Sequence, residues 1–291
     1  RGDAYNFPVV REAIGHADAL YGFKSGFDRA GLVLGLKSGG YWPGNADKGL
    51  TNHQSTVVLF DADTGRCKAL VGGNLLTALR TAAASAISIK YLARAESKVL
   101  GMVGAGHQSA FQMRAAVRQR EFEKVVGWNY HPEMLPRLAE TAGALGLPFE
   151  AVSLEEMGAQ ADVIVTITSS FAPSLMEAHV RPGTHIACMG TDTVGKQEVE
   201  AALVGRAAVF TDEVAQSVAL GEAQHAVKAG LKAEGDIATI GQVIEGLHPG
   251  RGSVEEITLF DGTGVGLQDL AVADKALALA VARGVAAEVA F

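Results

Sequence analysis

The sequence predicts an α/β protein: a doubly wound parallel sheet, preceded by a smaller α/β domain. Three observations predict it. From Lys98 to about Asp261, short apolar runs alternate with helical patterns, as they do where helices cover both faces of a parallel sheet. The run Val99-Leu100-Gly101-Met102-Val103 breaks on Gly104-Ala105-Gly106, and a helix-like pattern through Phe111, Met113, Ala115, Ala116 and Val117 follows at once. The first 97 residues lack that alternation and read as strands, a hairpin and one long helix.

In chain order, Leu32–Leu36 and Ser55–Phe60 are predicted strands, Asp61–Gly65 a turn, and Cys67–Val71 the returning strand of a hairpin. Asn74–Leu92 is a long Ala-rich helix with Arg80 in its second turn. Strands are then predicted at Val99–Val103, Lys124–Asn129, Phe149–Val152, Asp162–Ile167, Thr184–Met189, Ala207–Thr211 and Ile257–Phe260. Helices are predicted over Pro132–Leu145, with proline near the first turn, and over Lys196–Val204. The tail from Gln268, with Leu270, Val272, Ala276, Leu277 and Ala280, is a helix that returns to the first domain. The expected organisation is residues 1–97 as a smaller substrate-binding domain, 98–266 as a Rossmann-type domain, and 267–291 as the returning helix.

Composition excludes several classes. The 291 residues carry 25 Lys+Arg against 32 Asp+Glu, a net charge of −7, so no overall attraction draws the chain to nucleic acid or an anionic membrane. No apolar run approaches the ~20 residues that span a bilayer. Two cysteines, Cys67 and Cys188, are too few for a disulfide framework or a cysteine zinc site, and a reducing, cytoplasmic interior is expected. The eight histidines show no ligand spacing, and no metal is expected.

The glycine turn is the strongest chemical signal. In a strand-turn-helix of this kind Gly104 permits the tight turn, Gly106 lets the backbone approach a pyrophosphate, and the helix N-terminus offers N–H groups to the anion. Ser109 stands where the dinucleotide fingerprint has Gly or Ala, and a lone Gly-x-Gly also serves ordinary connections. The next strand ends on Asn129, near the ~20-residue offset of a ribose-binding side chain. Asn129 can bond a ribose hydroxyl, and no arginine lies beside it to neutralise a 2′-phosphate, so NAD is favoured over NADP.

Other polar residues stand at strand and helix ends. Arg80 is a single cation among small residues in Leu76–Ala84, so it needs a carboxylate, whether a ligand's or an internal one. Lys37 closes an apolar strand at a glycine-rich turn. Asp192 lies directly past a predicted parallel strand, where ligands of such sheets bind, although an N-cap or Asx turn before the helix expected from Lys196 is by itself the commoner role of an aspartate there. Thr166, Thr168 and Ser169 follow another such strand, to line a cofactor or cap a turn.

The segments Gly-Leu-Lys at 35–37, Leu-Thr-Ala-Leu-Arg-Thr-Ala-Ala at 76–83, Gly-Ala-Gly-His-Gln at 104–108, Met-Gly-Thr-Asp at 189–192 and Asp-Leu-Ala at 269–271 together resemble the ornithine cyclodeaminase and mu-crystallin family over essentially the whole chain. That resemblance implies a homodimeric, nicotinamide-dependent enzyme acting on an imino or amino acid, with further residues of the first domain preceding Arg1. It places carboxylate-binding cations at Lys37, Arg80 and Arg11, a catalytic aspartate at Asp192 with Lys37 beside it in the chemistry, and cofactor contacts at Gly104, Gly106, His107, Gln108, Gly190, Lys196 and Thr263. Two departures stand out. Asn129 replaces the usual acidic residue, and the stretch between Arg11 and Lys37 carries Lys24 and Arg29 instead of the acid that holds a distal amine in diamine-using members.

Three readings follow from the resemblance. The first is NAD(P)H-dependent reduction of a 2-imino acid, or reductive amination of a 2-oxo acid, to an L-amino acid. The cationic N-terminal segment favours it, with a dicarboxylic imine as substrate and iminosuccinate to aspartate as the specific form. The second is an ornithine or lysine cyclodeaminase with catalytic NAD. The third is a crystallin-like binding protein without turnover, against which the retention of Lys37, Arg80 and Asp192 argues.

Overall fold

A computed structural model describes residues 2–290. The chain opens with six strands: β1 (Ala4–Asn6), β2 (Val10–Ala13), β3 (Leu20–Asp28), β4 (Val33–Tyr41), β5 (His53–Phe60) and β6 (Cys67–Gly72). They form one antiparallel sheet in the order β1-β3-β4-β5-β6, with β2 sharing the β3 edge. The helix α1 (Gly73–Leu92) follows. Contacts divide the chain into two units, Arg1–Arg80 with Val265–Phe291, and Thr81–Gly264. The division falls inside α1, where the sequence reading ended the first domain at residue 97. The first turns of α1 belong with the antiparallel sheet, whereas Ile89 and Leu92 pack with Leu100 and Met102 in the second unit's core.

The second unit is an eight-stranded, all-parallel sheet. Its strands are β7 (Val99–Val103), β8 (Lys124–Trp128), β9 (Phe149–Ala151), β10 (Val163–Thr166), β11 (His185–Cys188), β12 (Ala208–Thr211), β13 (Ile237–Thr239) and β14 (Thr258–Asp261), in the order β13-β12-β14-β11-β10-β7-β8-β9. Its helices are α2 (Ser109–Ala116), α3 (Pro136–Ala144), α4 (Leu154–Gln160), α5 (Ala201–Arg206), α6 (Val214–Leu220), α7 (Ala223–Lys228) and α8 (Ile240–Ile244). Leu100, Met102, Val125, Val163 and Val165 fill one core cluster, and Val103, Val126, Ile164 and Ile186 fill another. Both faces of the sheet are therefore buried, which is why these strands read as unbroken apolar runs. The strand order reverses between β7 and β10, and ligands of such sheets bind at the carboxyl ends of strands at that point.

The chain then returns to the first unit as α9 (Gly266–Ala282), which packs on β3 and β4. Close approach is written into the strands. A Cβ at Gly26 would lie 3.1 Å from Leu267, and one at Gly35 would lie 2.9 Å from Leu270. Val57, Leu59, Leu76, Leu270 and Ala273 form the small core beneath.

Two helices differ from expectation. Pro132–Leu145 is split into a 3-10 turn at Pro132–Met134 and α3, since Pro136 restarts the helix. Lys196–Val204 is not one helix. Residues 196–200 are held in non-helical conformation because the Glu222 carboxylate accepts from the backbone N–H groups of Glu198 and Val199, at 3.0 and 2.9 Å, and the helix begins only at Ala201. The strands β1, β2, β3 and β13 were not anticipated from the sequence. Among the described residues no helix is long and apolar enough to cross a membrane, and no group of three or more His, Cys, Asp or Glu could hold a metal ion.

Candidate active site

In the first unit, β4 and α1 bring two cations to one carboxylate of α9. Lys37 and Arg80 are 6% and 8% exposed, and Asp269 is fully buried. Arg80 Nε donates to Asp269 Oδ1 at 3.0 Å, Lys37 Nζ donates to the same oxygen at 3.1 Å, and Lys37 Nζ lies 3.0 Å from Oδ2. Lys37 also reaches Thr77 Oγ1 at 3.5 Å, and Arg80 Nη1 reaches Gln268 Oε1 at 3.4 Å. Arg80 thus has the internal carboxylate partner that an arginine among small residues requires, and the side-on Nε bond fixes the plane of the guanidinium. Burial, and then Arg80, push the Lys37 ammonium down to about 7, with Asp269 opposing. Burial works against the charge of Asp269, but Arg80 and Lys37 hold its carboxyl below the usual range.

Arg11, on β2, lies opposite Gly22 of β3 and is half-buried. Directly paired residues of an antiparallel sheet share a face. Arg11 is therefore on the face of Gly22, Lys24 and Gly26, the face that α9 covers.

In the second unit, the glycine turn sits at the carboxyl end of β7. Gly104 has φ +108°, and a Cβ there would meet Ile167 O at 2.5 Å, so only glycine fits. A Cβ on Gly106 would meet nothing within 4 Å: the space above it is open. Asn129 Oδ1 accepts from Ala105 N at 3.0 Å, and its Nδ2 donates to His131 O at 2.8 Å. The carboxamide thus braces the glycine turn, and only its remaining lone pair and hydrogen are available to a ribose. Gln108 stands at the N-cap of α2, with its Oε1 buried and without a hydrogen-bond partner among the described residues. His107 is exposed, its ring 5.6 Å from that of Phe111. An open cradle over Gly106, an orphaned acceptor and the N-terminal turn of α2 suit a dinucleotide pyrophosphate and its neighbouring hydroxyls.

Asp192 follows β11, where Lys196 Nζ donates to its Oδ1 at 2.9 Å and to Gly190 O at 3.3 Å. Without a helix at Lys196, Asp192 is not an N-cap. The loop is held from below by Glu198, which is 1% exposed. Its carboxylate accepts from Thr166 Oγ1 at 2.7 Å, Thr168 N at 2.6 Å, Thr168 Oγ1 at 2.8 Å and Gly190 N at 2.8 Å. The hydroxyls of Thr166 and Thr168 are therefore turned inward, toward Glu198. Glu222, beneath, accepts from Thr191 Oγ1 at 2.5 Å, and burial together with the charge of Glu198 pushes its carboxyl up to about 8. Thr263 is buried after β14, where its hydroxyl donates to Asp212 at 2.5 Å.

Sequence reasoning assigned no role to Asp269, Glu198 or Glu222. The signal for Asp269 was present: a lone arginine in need of a carboxylate, and an aspartate in an apolar helix. Glu198 and Glu222 gave none, because each is read by backbone N–H groups from loops distant in sequence.

A model of the ornithine cyclodeaminase/mu-crystallin family matches residues 27–278. The iminosuccinate reductase of Paracoccus denitrificans is 69% identical over 289 residues, covering 99% of this chain and 90% of that protein. Its crystal structure in complex with NAD+ superposes with a TM-score of 0.96, over 99% of this chain and 89% of that one. The Thermococcus litoralis Delta(1)-pyrroline-2-carboxylate reductase with NADH and L-proline has a TM-score of 0.94 at 28% identity, over 99% of this chain and 90% of that one. An archaeal alanine dehydrogenase dimer with bound NAD has a TM-score of 0.94 at 34% identity, over 100% and 89%. With residues 27–278 matched and a relative this similar along nearly its whole length, the chain belongs to the ornithine cyclodeaminase/mu-crystallin family.

Proposed function

We propose that this protein reduces a 2-imino acid to the L-amino acid with NADH, and that its substrate is iminosuccinate, reduced to aspartate. The observation that carries the reading is the buried pair Lys37 and Arg80 sharing the single carboxylate of Asp269. Two cations on one anion leave positive charge for a substrate carboxylate, and a relative 69% identical is an iminosuccinate reductase. Bound NADH supplies a hydride. Arg80, its plane fixed by Asp269, takes the carboxylate through its outer nitrogens, and Lys37 adds a second charge-assisted bond. A carboxylate beside Lys37 stabilises the ammonium, so substrate binding draws a proton onto a group whose pKa is about 7. Asp192, held by Lys196, accepts from the imine nitrogen and so favours its protonated form, which is the form that a hydride attacks. The turn Gly104–Gln108, with Asn129, Gly190, Lys196 and Thr263, holds the dinucleotide.

A homodimer is part of this reading. The sheet face opposite α9 carries Tyr5, Val10, Tyr21 and Phe23, each 39–43% exposed, a patch suited to a second copy. The free thiols Cys67 and Cys188 suit a reducing, cytoplasmic compartment. Oxaloacetate with high ammonia is expected to drive NADH oxidation and yield aspartate, while ornithine yields no proline. Release of ammonia from ornithine without net consumption of cofactor would establish a cyclodeaminase instead.

A further inference from the structure

The carboxamide of Asn129 is committed on both sides. At the carboxyl end of β8 it accepts from Ala105 N at 3.0 Å and donates to His131 O at 2.8 Å, so it ties the glycine turn to the loop that follows the strand. Gly104 N donates to Trp128 O at 3.0 Å, which sets the end of β8 directly beside the turn. In doubly wound sheets the adenosine ribose is read at this strand end, where an acidic side chain takes a ribose hydroxyl and a 2′-phosphate needs an arginine. A carboxamide engaged with two backbone groups is not free to grip a pair of hydroxyls, and it carries no charge to repel a phosphate.

The charge at this strand end comes from further along the loop. His131, whose carbonyl Asn129 holds, has its Nδ1 3.3 Å from Glu133 Oε1. Pro132 opens the 3-10 turn that carries Glu133, and Met134 N donates back to His131 O at 3.0 Å, so the loop closes on the same carbonyl. The ring of Tyr130 stands edge-on to that of His131, with centroids 5.2 Å apart. Tyr130, His131 and Glu133 are all exposed. No lysine or arginine stands in the sequence between Lys124, at the start of β8, and Arg137, in α3, and Glu133 is the one Asp or Glu in that interval.

We propose that Glu133, oriented by His131, is the residue that selects NAD over NADP in this chain: its carboxylate repels a 2′-phosphate, while Asn129 braces the turn and does not discriminate. The inference rests on the dinucleotide site proposed above at Gly104–Gln108 and names the side chain that sets its cofactor preference. A phosphate monoester carries about 1.5–2 negative charges at pH 7, and its repulsion from a single exposed carboxylate, screened by salt, is worth about 10-fold in affinity.

The test measures dissociation constants by calorimetry for ADP-ribose and its 2′-phosphorylated form, which carry the adenosine end without the nicotinamide, and by fluorescence for NADH and NADPH. In Glu133→Gln the preference for the unphosphorylated ligand is expected to fall about 10-fold, through tighter binding of the phosphorylated one, and in Glu133→Lys about 100-fold. Raising the salt from about 0.02 to about 0.5 M should shrink the wild-type preference by more than that of Glu133→Gln, a response that a merely structural role would not give. Asn129→Ala should weaken both ligands together and keep their ratio within a factor of about two, since the brace it removes serves both. An unchanged ratio in both Glu133 variants, or a salt-independent preference in wild type, overturns the role of Glu133, and a shifted ratio in Asn129→Ala returns the discrimination to Asn129. Wild type that binds neither ADP-ribose nor its 2′-phosphorylated form overturns the dinucleotide site itself.

Discussion

Asp269→Asn removes a charge from the centre of the first unit without changing its volume. Asp269 is fully buried, and it is the shared partner of Arg80 at 3.0 Å and of Lys37 at 3.0–3.1 Å. Truncating one side of a buried ion pair costs about 3–5 kcal/mol, because the remaining charge is left unpaired in a poorly solvated site. Here two cations lose their counter-charge, but Lys37 has an escape. Its pKa is already about 7, against an ordinary value near 10.5, and without the opposing effect of Asp269 it falls further. At pH 7.5 the variant therefore carries a neutral Lys37 amine, and the expected loss is about 3 kcal/mol, toward the lower end of that range. Lys37 also sets the sign of the pH dependence. Between its folded value, about 7, and its unfolded value, about 10.5, the unfolded state binds the extra proton, so stability rises with pH across that window. In Asp269→Asn the window opens below pH 7. The depressed Asp269 carboxyl, by contrast, supplies stability that wild type loses only as pH falls below the usual carboxylate range. Urea unfolding at pH 6, 7.5 and 9, followed by Trp42 fluorescence in a Trp128→Phe background, reads both effects. At a slope of about 2–3 kcal/mol per molar, the midpoint at pH 7.5 should drop by about 1–1.5 M. Midpoints that coincide, or pH profiles that superimpose, would show that Asp269 is not the counter-charge of this pair.

Gly106→Val should fold, since nothing lies within 4 Å of the new Cβ, yet lose at least about 100-fold in NADH affinity by fluorescence titration; retained affinity would misplace the pyrophosphate. Arg80→Lys keeps the charge but loses the Nε bond to Asp269 and the planar fork, so kcat/KM should fall about 10- to 100-fold, and wild-type kinetics would remove Arg80 from the carboxylate site. Asp192→Asn should lower kcat about 10²- to 10⁴-fold with NADH affinity preserved, whereas a loss confined to NADH binding would make Asp192 a cofactor residue only.

The parallel sheet was legible because its strands are buried on both faces, and runs such as Val163–Thr166 leave few other ways to place so much apolar surface. The strand β3 escaped notice for the opposite reason. Its inward positions are Gly22, Lys24 and Gly26, so the face turned to α9 has no apolar period, and the aromatic residues Tyr21 and Phe23 point the other way. A strand whose covered face is glycine and lysine looks like a loop in sequence. Residues 196–200 misled in another way. Their composition permits a helix, but the carboxylate of Glu222, more than twenty residues later, takes the backbone N–H groups of Glu198 and Val199, and Gln224 takes that of Gly195. No local pattern encodes a partner at that distance.

Asp269 and Glu198 solve the same problem in different units. Each is a buried carboxylate that accepts from several donors, three nitrogen–oxygen contacts within 3.1 Å at Asp269 and four hydrogen bonds at Glu198. Asp269 fixes the cations proposed to hold the substrate, and Glu198 fixes Gly190 and Thr168, the backbone on either side of the strand ends from which Asp192 projects. Hydride transfer requires the reacting carbons at about 3–3.5 Å, and misplacement by 1 Å can cost about 100-fold. Groups carried on loops meet that tolerance only if the loops are held from within. Glycines and threonines contribute little packing of their own, so buried hydrogen bonds to a carboxylate supply the rigidity that an apolar core supplies elsewhere. On the proposed reaction, the residues least visible in the sequence set the precision with which the most visible ones act.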